Sequence, residues 1–484
     1  MRENKNDIIG ATRWSAMAEV ATRLVNPLAN IILARVLVPE AFGLVATINI
    51  VISFTKLFSE TGLQKYVIQH DFKNQDDFEV GVSSIFWANF VLSVFLFCII
   101  LSFRNALANL LGDSSIGMPL VLASTSLLIS PFYSIKVALL KREMNFKRVF
   151  LARLSSAVSI AFVTIPTAVI IKSYLAIILG SITGEVITVI ILLRVYPWKP
   201  KLIFDTKSFA DMIGFSSWII VEYLLTWMTA NAGIFIINHN LSTYYSGIYK
   251  TSITTVEQVI GLITMATTPV FFSATSRMQN DRDSMIDNYL HFITLLSVVI
   301  IPMGISIFIF RQTIVGILLG GQWGDAIGFI GLYGICTALF GLLSSQWTSL
   351  FEASGVPKYV VLIQSVYFAI LSGLLLFGVQ YGFNMVYKCR CMGTLIYVII
   401  ELPLIYKIFG VSLRMLIKRF LPTMINMLPI VIAFILIKSL YESNMVIDII
   451  VGAIGMMAYV MLALRNKKTH EYMEELLEMV GIKL

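Results

Sequence analysis

The stretch VGVSSIFWANFVLSVFLFCIILSF, residues 80–103, contains no charged side chain. A helix rises about 1.5 Å per residue, so this stretch is long enough to cross the hydrocarbon core of a bilayer, which is about 30 Å thick. Thirteen further apolar stretches of similar length occupy nearly all of the 484-residue chain. Numbered 1 to 14 in chain order, the predicted segments are 12–36, 42–64, 80–103, 117–140, 150–171, 174–195, 211–237, 246–272, 288–311, 326–350, 358–381, 384–408, 414–438 and 444–464.

The composition agrees with this reading. Hydrophobic residues make up 57% of the chain, charged residues only 13%, and the mean hydropathy is +0.83. A soluble chain of this size carries about 25% charged residues. The loops between the segments are short and leave no room for a soluble catalytic domain. We therefore expect an all-α polytopic membrane protein with about 14 transmembrane helices.

The basic residues predict the orientation. Loops and adjoining segment ends on the side of the N-terminus hold 23 of the 36 Lys and Arg residues, and those on the other side hold 4. By the positive-inside rule both termini are cytoplasmic, which requires an even number of crossings: fourteen, or twelve if one segment is wrongly divided. The net charge of +8 is thus assigned to contact with anionic lipid rather than nucleic acid. The predicted location is the bacterial cytoplasmic (inner) membrane.

A weak internal repeat organises the chain. When the sequence is shifted by 204 residues, Gly43 falls on Gly247 and Thr47 falls on Thr251. Segments 1 and 7 then share one orientation, which predicts a parallel pseudo-twofold repeat of two six-helix lobes, the pattern of transporters that bind substrate between lobes. The predicted divisions are an N-terminal lobe at 1–200, a C-terminal lobe at 201–410, and an appended helix pair with a cytoplasmic tail at 411–484.

Polar side chains recur at helical spacing inside four segments. Residues three or four apart share a helical face, and polar groups inside a membrane normally face protein or water. The stripes contain Glu19, Arg23, Asn26 and Asn30 in segment 1; Asn49, Ser53, Lys56 and Glu60 in segment 2; Glu222, Thr226 and Thr229 in segment 7; and Lys250, Thr254 and Glu257 in segment 8. We predict that these stripes line one central cavity. The alternative is that Glu19 with Arg23, and Lys250 with Glu257, are local pairs that only neutralise each other.

The cavity residues suggest the chemistry of the cargo. Fixed guanidinium and ammonium groups suit an anion such as a phosphate or pyrophosphate. The predicted substrate-binding cations are Arg13, Arg23, Lys56 and Lys250. The remaining cavity residues, which are also candidates for coupling transport to H⁺ or Na⁺, are Glu19, Asn26, Asn30, Glu60, Glu222 and Glu257.

The cysteines and histidines predict no metal site. Cys389 and Cys391 are two residues apart, so their thiols point to different sides of a helix, and they are interpreted as small buried residues. The four histidines are scattered, and no phosphate-binding Gly-Lys-Ser/Thr loop is present. We therefore expect neither a cofactor nor ATP hydrolysis.

Two stretches carry a family resemblance. ILARVLVPEAFGLVATINIVISF (32–54), followed by LFSETGLQKYVIQ (57–69), resembles the start of the Wzx-type polysaccharide-biosynthesis flippases of the multidrug/oligosaccharidyl-lipid/polysaccharide exporter superfamily. KVALLKREMNFKRV (136–149) resembles their basic fourth loop. The matching residues of the first stretch are Arg35, Pro39, Phe42, Gly43, Gly62, Leu63 and Gln69. KCRC (388–391) departs from the small-residue run usual in helix 12 of this group.

The resemblance implies a V-shaped, MATE-like fold of two lobes. It also implies translocation of undecaprenyl-pyrophosphate-linked oligosaccharide units across the cytoplasmic membrane, by alternating access, for O-antigen (lipopolysaccharide), capsule or exopolysaccharide biosynthesis. Related flippases place cations of helices 1, 2 and 8 in the cavity. The implied partners are the lipid-linked oligosaccharide, membrane lipids, and the polymerase and glycosyltransferases of the same pathway. The protein itself is expected to be a monomer and not an enzyme.

Two other classes stay open from the sequence. An ion-coupled multidrug exporter of the same superfamily would bind organic cations, so acidic and aromatic cavity groups should outweigh basic ones. A membrane-embedded glycosyltransferase or ligase usually needs a large outer loop with carboxylates or histidines. The longest outer loops here, 104–116 and 312–325, offer only Asp113 and Asp325 as carboxylates.

Overall fold

The protein folds as a succession of long α-helices. The structure is a computed structural model that describes residues 25–58, 66–68, 70, 72, 74–278, 281–354, 358–440 and 444–479, without the side chains of 207–222 and of some residues within 265–277, 349–353 and 438–440. The helices are α1 (Val25–Val36), α2 (Pro39–Lys56), α3 (Gln75–Leu110), α4 (Gly117–Arg142), α5 (Phe146–Ile171), α6 (Leu175–Val195), α7 (Thr206–Asn240), α8 (Thr243–Arg277), α9 (Arg282–Ile309), α10 (Ala326–Ala353), α11 (Lys358–Val379), α12 (Phe383–Phe409), α13 (Leu413–Leu440), α14 (Met445–Arg465) and α15 (His470–Met479). A short helix, Arg311–Leu318, precedes α10.

Ten helices of the described part of the chain, α3 to α6 and α9 to α14, are long and apolar enough to cross a membrane. They lie on ten of the predicted segments, and α1, α2, α7 and α8 lie on the other four. The prediction of an all-α multi-pass membrane protein is therefore confirmed, while the exact number of crossings stays a prediction. Large apolar side chains on the outer faces, such as Phe162 and Ile170, are well exposed in the absence of lipid. In a bilayer this surface contacts acyl chains.

Polar residues between the spans cap the helix ends. The Asn74 side chain accepts a hydrogen bond from the Asp77 N–H at the start of α3. Asp281 does the same for Ser284 at the start of α9. The Ser284 hydroxyl and N–H both donate to the Asp281 carboxylate, which holds its pKa below the usual value. Such caps satisfy donors that the first helical turn leaves unpaired, and so they fix where each span begins.

The described contacts group the chain into two compact units, residues 1–250 and 251–484. In unit 1, a core of Tyr66, Val82 and Phe86 forms between the loop before α3 and the α3–α4 hairpin. In unit 2, Phe310 and Phe434 belong to a core shared by α9, α13, α14 and α15. The lobe boundaries predicted from the repeat, 1–200, 201–410 and 411–484, stay predictions.

Two glycines of unit 1 meet where the first turns of α2 and α8 cross. A Cβ atom on Gly43 would lie 1.9 Å from the carbonyl oxygen of Thr243, and a Cβ on Gly247 would lie 1.9 Å from that of Pro39. Only glycine permits this backbone approach. Thr243 lies 204 residues after Pro39, just as Gly247 does after Gly43. A reciprocal contact of this kind is what a local twofold relation produces, so it supports the predicted repeat without establishing it.

Candidate functional site

The predicted polar face of α2 carries Asn49, Ser53 and Lys56. Asn49 and Ser53 are exposed, and Lys56 is half-buried. The Trp227 indole N–H of α7 donates a hydrogen bond of 2.9 Å to the Ser53 hydroxyl. The Trp227 ring also packs against Phe54, with 4.9 Å between the ring centroids. Polar and aromatic groups therefore lie together on this side of α2, within unit 1.

Lys56 forms an ion pair with a carboxylate from another helix. Its Nζ atom lies 2.5 Å from Oε1 of Glu185, on α6, and both side chains are 26% exposed. Lys56 is therefore partly neutralised in this structure. Glu185 was not among the predicted site residues, because nothing in the sequence relates it to Lys56 across a separation of 129 residues.

The stripe predicted on segment 1 is described only in part. Asn26 and Asn30 lie on α1, and both are partly exposed. Four of the predicted site residues, Arg13, Glu19, Arg23 and Glu60, lie outside the described residues. Glu222 lies within α7, but its side chain is not among those described. The grouping of these residues around one cavity stays a prediction.

Lys250 and Glu257 lie seven residues apart on α8, and both are exposed. Lys250 forms no ion pair with any residue that the structure describes. Glu257 instead accepts a hydrogen bond of 2.9 Å from the Tyr333 hydroxyl of α10. The alternative in which Lys250 and Glu257 only satisfy each other therefore finds no contact among the described residues.

Arg390 is the centre of a polar cluster in unit 2. Its Nη1 atom donates to the Tyr367 hydroxyl at 2.9 Å, and its Nη2 atom donates to the Tyr333 hydroxyl at 3.2 Å. The guanidinium carbon lies 5.6 Å from the centre of the Tyr333 ring. Since Tyr333 in turn donates to Glu257, a tyrosine hydroxyl bridges an arginine and a carboxylate from two different helices. The KCRC departure is thus accommodated within a continuous α12.

A polar stripe on α12 was missed by the sequence interpretation. Arg390, Thr394, Tyr397 and Glu401 are spaced by 4, 3 and 4 residues, the same helical spacing that identified the other stripes. Thr394, Tyr397 and Glu401 are buried, and the Thr394 hydroxyl donates to the Arg390 carbonyl. The same spacing is visible in the sequence, where mostly apolar residues surround it.

Two basic residues of the stretch 136–149 serve the fold. The Lys136 ammonium group is buried and donates to the carbonyls of Tyr196 and Trp198, at 2.6 and 2.8 Å. Arg142 donates to the carbonyls of Val67 and His70, at 2.8 and 2.7 Å. Both side chains thus bind backbone carbonyl oxygens outside the long helices. Positive charge here stabilises the turns at one end of unit 1.

Replacing Lys136 with methionine should lower the stability of the protein by about 1–3 kcal/mol, because two buried carbonyls lose their donor. The change keeps the aliphatic stem, so packing is largely retained. Thermal unfolding of the purified protein in detergent measures the effect. The control is Lys199→Met, which removes an exposed lysine from the loop after α6, next to the carbonyls that Lys136 binds, and should leave the unfolding temperature unchanged. Equal behaviour of the two variants would contradict this role.

Three of the four cysteines, Cys336, Cys389 and Cys391, are buried among the helices. Cys389 and Cys391 are buried, as the sequence predicts, and the thiol of Cys391 contacts that of Cys336. Cys98 is exposed on α3. In the part of the chain that the structure describes, no three His, Cys, Asp or Glu residues are close enough to hold a metal ion.

The chain is similar in sequence to curated bacterial proteins over about two thirds of its length. It is 22% identical over 321 residues to an uncharacterized membrane protein in the cps region of Klebsiella pneumoniae, an alignment that covers 65% of each chain and so just under two thirds of that protein. It is 18% identical over 341 residues to the lipopolysaccharide biosynthesis protein WzxC of Escherichia coli (strain K12), covering 70% of this chain and 67% of that one.

Among solved structures, the fold is similar to that of the lipid II flippase MurJ in an inward closed conformation. The TM-score is 0.77 at 16% identity, covering 93% of this chain and 98% of that one. A multidrug resistance MATE family transporter in an inward-facing conformation gives a TM-score of 0.61 at 13% identity, covering 78% and 92%. At such identities the likeness establishes the fold alone, and it confirms the MATE-like fold class.

The relationship in sequence extends over most of the helices described above. The family model of polysaccharide biosynthesis proteins matches residues 32–328, which is more than half of the chain and includes α2 to α9 and the crossing of Gly43 with Gly247. The chain therefore belongs to the polysaccharide biosynthesis protein family.

Proposed function

We propose that this protein is a flippase that moves undecaprenyl-pyrophosphate-linked oligosaccharide units across the bacterial cytoplasmic membrane. The family match at residues 32–328 carries the proposal. The similarity to WzxC and the fold shared with the lipid II flippase MurJ point the same way. The protein acts without catalysing bond formation, and alternating access of two lobes carries the cargo.

The charged side chains support an anionic cargo. Lys250 is exposed on α8 and lacks an ion pair among the described residues, so it is available to a ligand phosphate. Lys56 is half-buried and 2.5 Å from Glu185, so a pyrophosphate reaches it in competition with that carboxylate. Arg13 and Arg23 are proposed as further cations on the strength of the sequence stripe. Cation contacts with phosphate oxygens are charge-assisted and stronger than neutral hydrogen bonds.

Deletion of the gene should abolish the surface polysaccharide and cause lipid-linked precursor to accumulate, because cargo assembled on the inner leaflet can no longer reach the outer one. The measurement is the surface glycan together with extracted lipid-linked oligosaccharide. If the surface glycan is unchanged and the cell has become drug-sensitive, the flippase proposal is wrong and the protein is a multidrug exporter. Loss of glycan without precursor accumulation would instead indicate a glycosyltransferase that builds the precursor, and precursor that accumulates in the outer leaflet would indicate a ligase.

The proposed orientation places both termini and the 141–148 loop in the cytoplasm. The test starts from the Cys98→Ser variant, which lacks the exposed native thiol. In this background the cysteine of Ser114→Cys should react with an impermeant thiol reagent in intact cells. The cysteine of Arg148→Cys should react only after the cells are opened. Both positions are exposed, so accessibility of the side chain does not differ between them. Labelling of Arg148→Cys in intact cells would overturn the orientation.

A further inference from the structure

A carboxyl group lies inside unit 2 with little around it to stabilise a negative charge. Glu401 of α12 is 1% exposed. Its Oε2 atom is buried and has no hydrogen-bond partner among the described residues. A buried carboxylate without a cation is costly, and inside a membrane protein such a residue is a functional-site candidate.

Among the described residues, the groups beside Glu401 are neutral. The Ser344 hydroxyl of α10 lies beside the carboxyl group. Tyr289 of α9 lies close to it and accepts a hydrogen bond from the Trp347 indole N–H. On α12 itself, Tyr397 lies one turn before Glu401. No lysine, arginine or histidine of the described residues forms an ion pair with this carboxyl group.

A line of polar and aromatic side chains extends from the buried Glu401 towards the exposed Glu257. The Tyr397 ring packs edge-on against Tyr367 of α11, with 4.7 Å between the centroids. The Tyr367 hydroxyl accepts from Arg390, and the Tyr333 hydroxyl links Arg390 to the exposed Glu257. Arg390 and Glu401 are 11 residues apart on α12, about 16 Å along the helix.

We propose that Glu401 is a proton-binding site, and that its loading and release accompany the transport cycle. Binding forms one O–H bond at the carboxyl group and removes one buried negative charge; release reverses both. The proton is favoured over Na⁺ because a metal ion needs several convergent oxygen ligands, and the described groups beside the Glu401 carboxyl offer only the hydroxyls of Ser344 and Tyr289. The transport part of this inference rests on the proposed function, whereas the proton site does not.

Infrared spectroscopy of the purified protein tests the site directly. At neutral pH the wild-type protein should show the carbonyl stretch of a protonated carboxylic acid, sensitive to H/D exchange. Glu401→Gln, which keeps the shape and is permanently neutral, should lose this band and retain the wild-type unfolding temperature. Glu401→Asp should retain an acid band at an altered frequency. The matched control Glu471→Gln removes an exposed carboxylate on α15, outside the proposed site, and should keep the wild-type band.

Identical spectra for the wild type and Glu401→Gln would overturn the site. A second outcome would show that the site binds Na⁺ instead of a proton. In that case Na⁺, but not K⁺, removes the acid band of the wild type and raises its unfolding temperature, and neither ion affects Glu401→Gln.

Vesicles test the role in transport. With a fluorescent polyprenyl-pyrophosphate-linked disaccharide as probe, an imposed pH gradient should change the wild-type rate several-fold and leave the rate of Glu401→Gln unchanged. A wild-type rate that ignores the gradient contradicts the coupling. If the wild type does not move the probe under any condition, the proposed function fails, and the infrared result still decides the proton site.

Discussion

Gly43→Ala is expected to reduce transport about 100-fold. A Cβ atom at this position would lie 1.9 Å from the backbone carbonyl oxygen of Thr243, so the crossing of α2 and α8 cannot be kept. Overpacking costs about 1–3 kcal/mol where side chains can adjust, and backbone yields less readily. A cost of about 3 kcal/mol corresponds to about two decades in an equilibrium constant. Surface glycan and lipid-linked precursor report the effect, with protein level measured in parallel.

The matched control is Gly373→Ala on α11, where an added Cβ meets nothing within 4 Å. This variant should transport normally and be slightly more stable, because alanine favours the helix by about 1 kcal/mol. Gly247→Ala should reproduce the defect of Gly43→Ala, since its Cβ would lie 1.9 Å from the Pro39 carbonyl oxygen. Normal transport by both variants would show that the close crossing is dispensable.

Lys250→Ala is expected to lower transport about ten-fold or more at unchanged protein level and unfolding temperature. The side chain is exposed and has no ion pair among the described residues, so its removal leaves no orphaned carboxylate there. Loss of one charge-assisted contact with the cargo costs on the order of 1–3 kcal/mol, and 1.4 kcal/mol is one decade. Lys407→Ala, an exposed lysine near the end of α12, is the control and should transport normally. If Lys250→Ala transports at the wild-type rate, Lys250 does not bind the substrate.

Lys56 allows the substrate role to be separated from the structural one. Lys56→Gln alone should impair transport whether the lysine binds cargo or only neutralises Glu185. Lys56→Gln combined with Glu185→Gln removes both charges of the pair. If neutralisation were the only role, the double variant should regain activity. We expect it to stay inactive, because the cargo has lost a cation. The same design applies to Arg23 with Glu19, where Arg23→Lys should retain part of the activity.

The internal repeat shows which structural features an alignment within the sequence can predict. The alignment of Gly43 with Gly247 came from a shift of 204 residues and a few identities. That these glycines touch each other's first helical turns depends on the path of α2 and α8. A sequence shift can relate two positions, but it contains no distance between them. The reciprocal contact therefore gives the physical reason why both positions are glycine, and the alignment of the two halves did not contain this reason.

The spans were predictable because the cause is local. In a bilayer each backbone N–H and C=O must be satisfied within its own segment, so about 20 consecutive apolar residues suffice to specify a crossing helix. The sequence also contained the polar face of α2, since a helical face depends only on spacing. The ten described spans and the helix through KCRC follow from these short-range rules.

The partner of each charged side chain was decided by the tertiary structure. Lys56 meets Glu185 across 129 residues, and Lys136 holds the carbonyl of Trp198 across 62. Arg390 is held by tyrosines of two other helices, and Glu401 is left in a neutral, buried setting. Charge and hydrogen bonding act over a few ångströms in space, and helix packing alone brings these groups together. The sequence by itself determined which segments cross the membrane, and the packing of those segments determined which of their charges are structural and which are available for function.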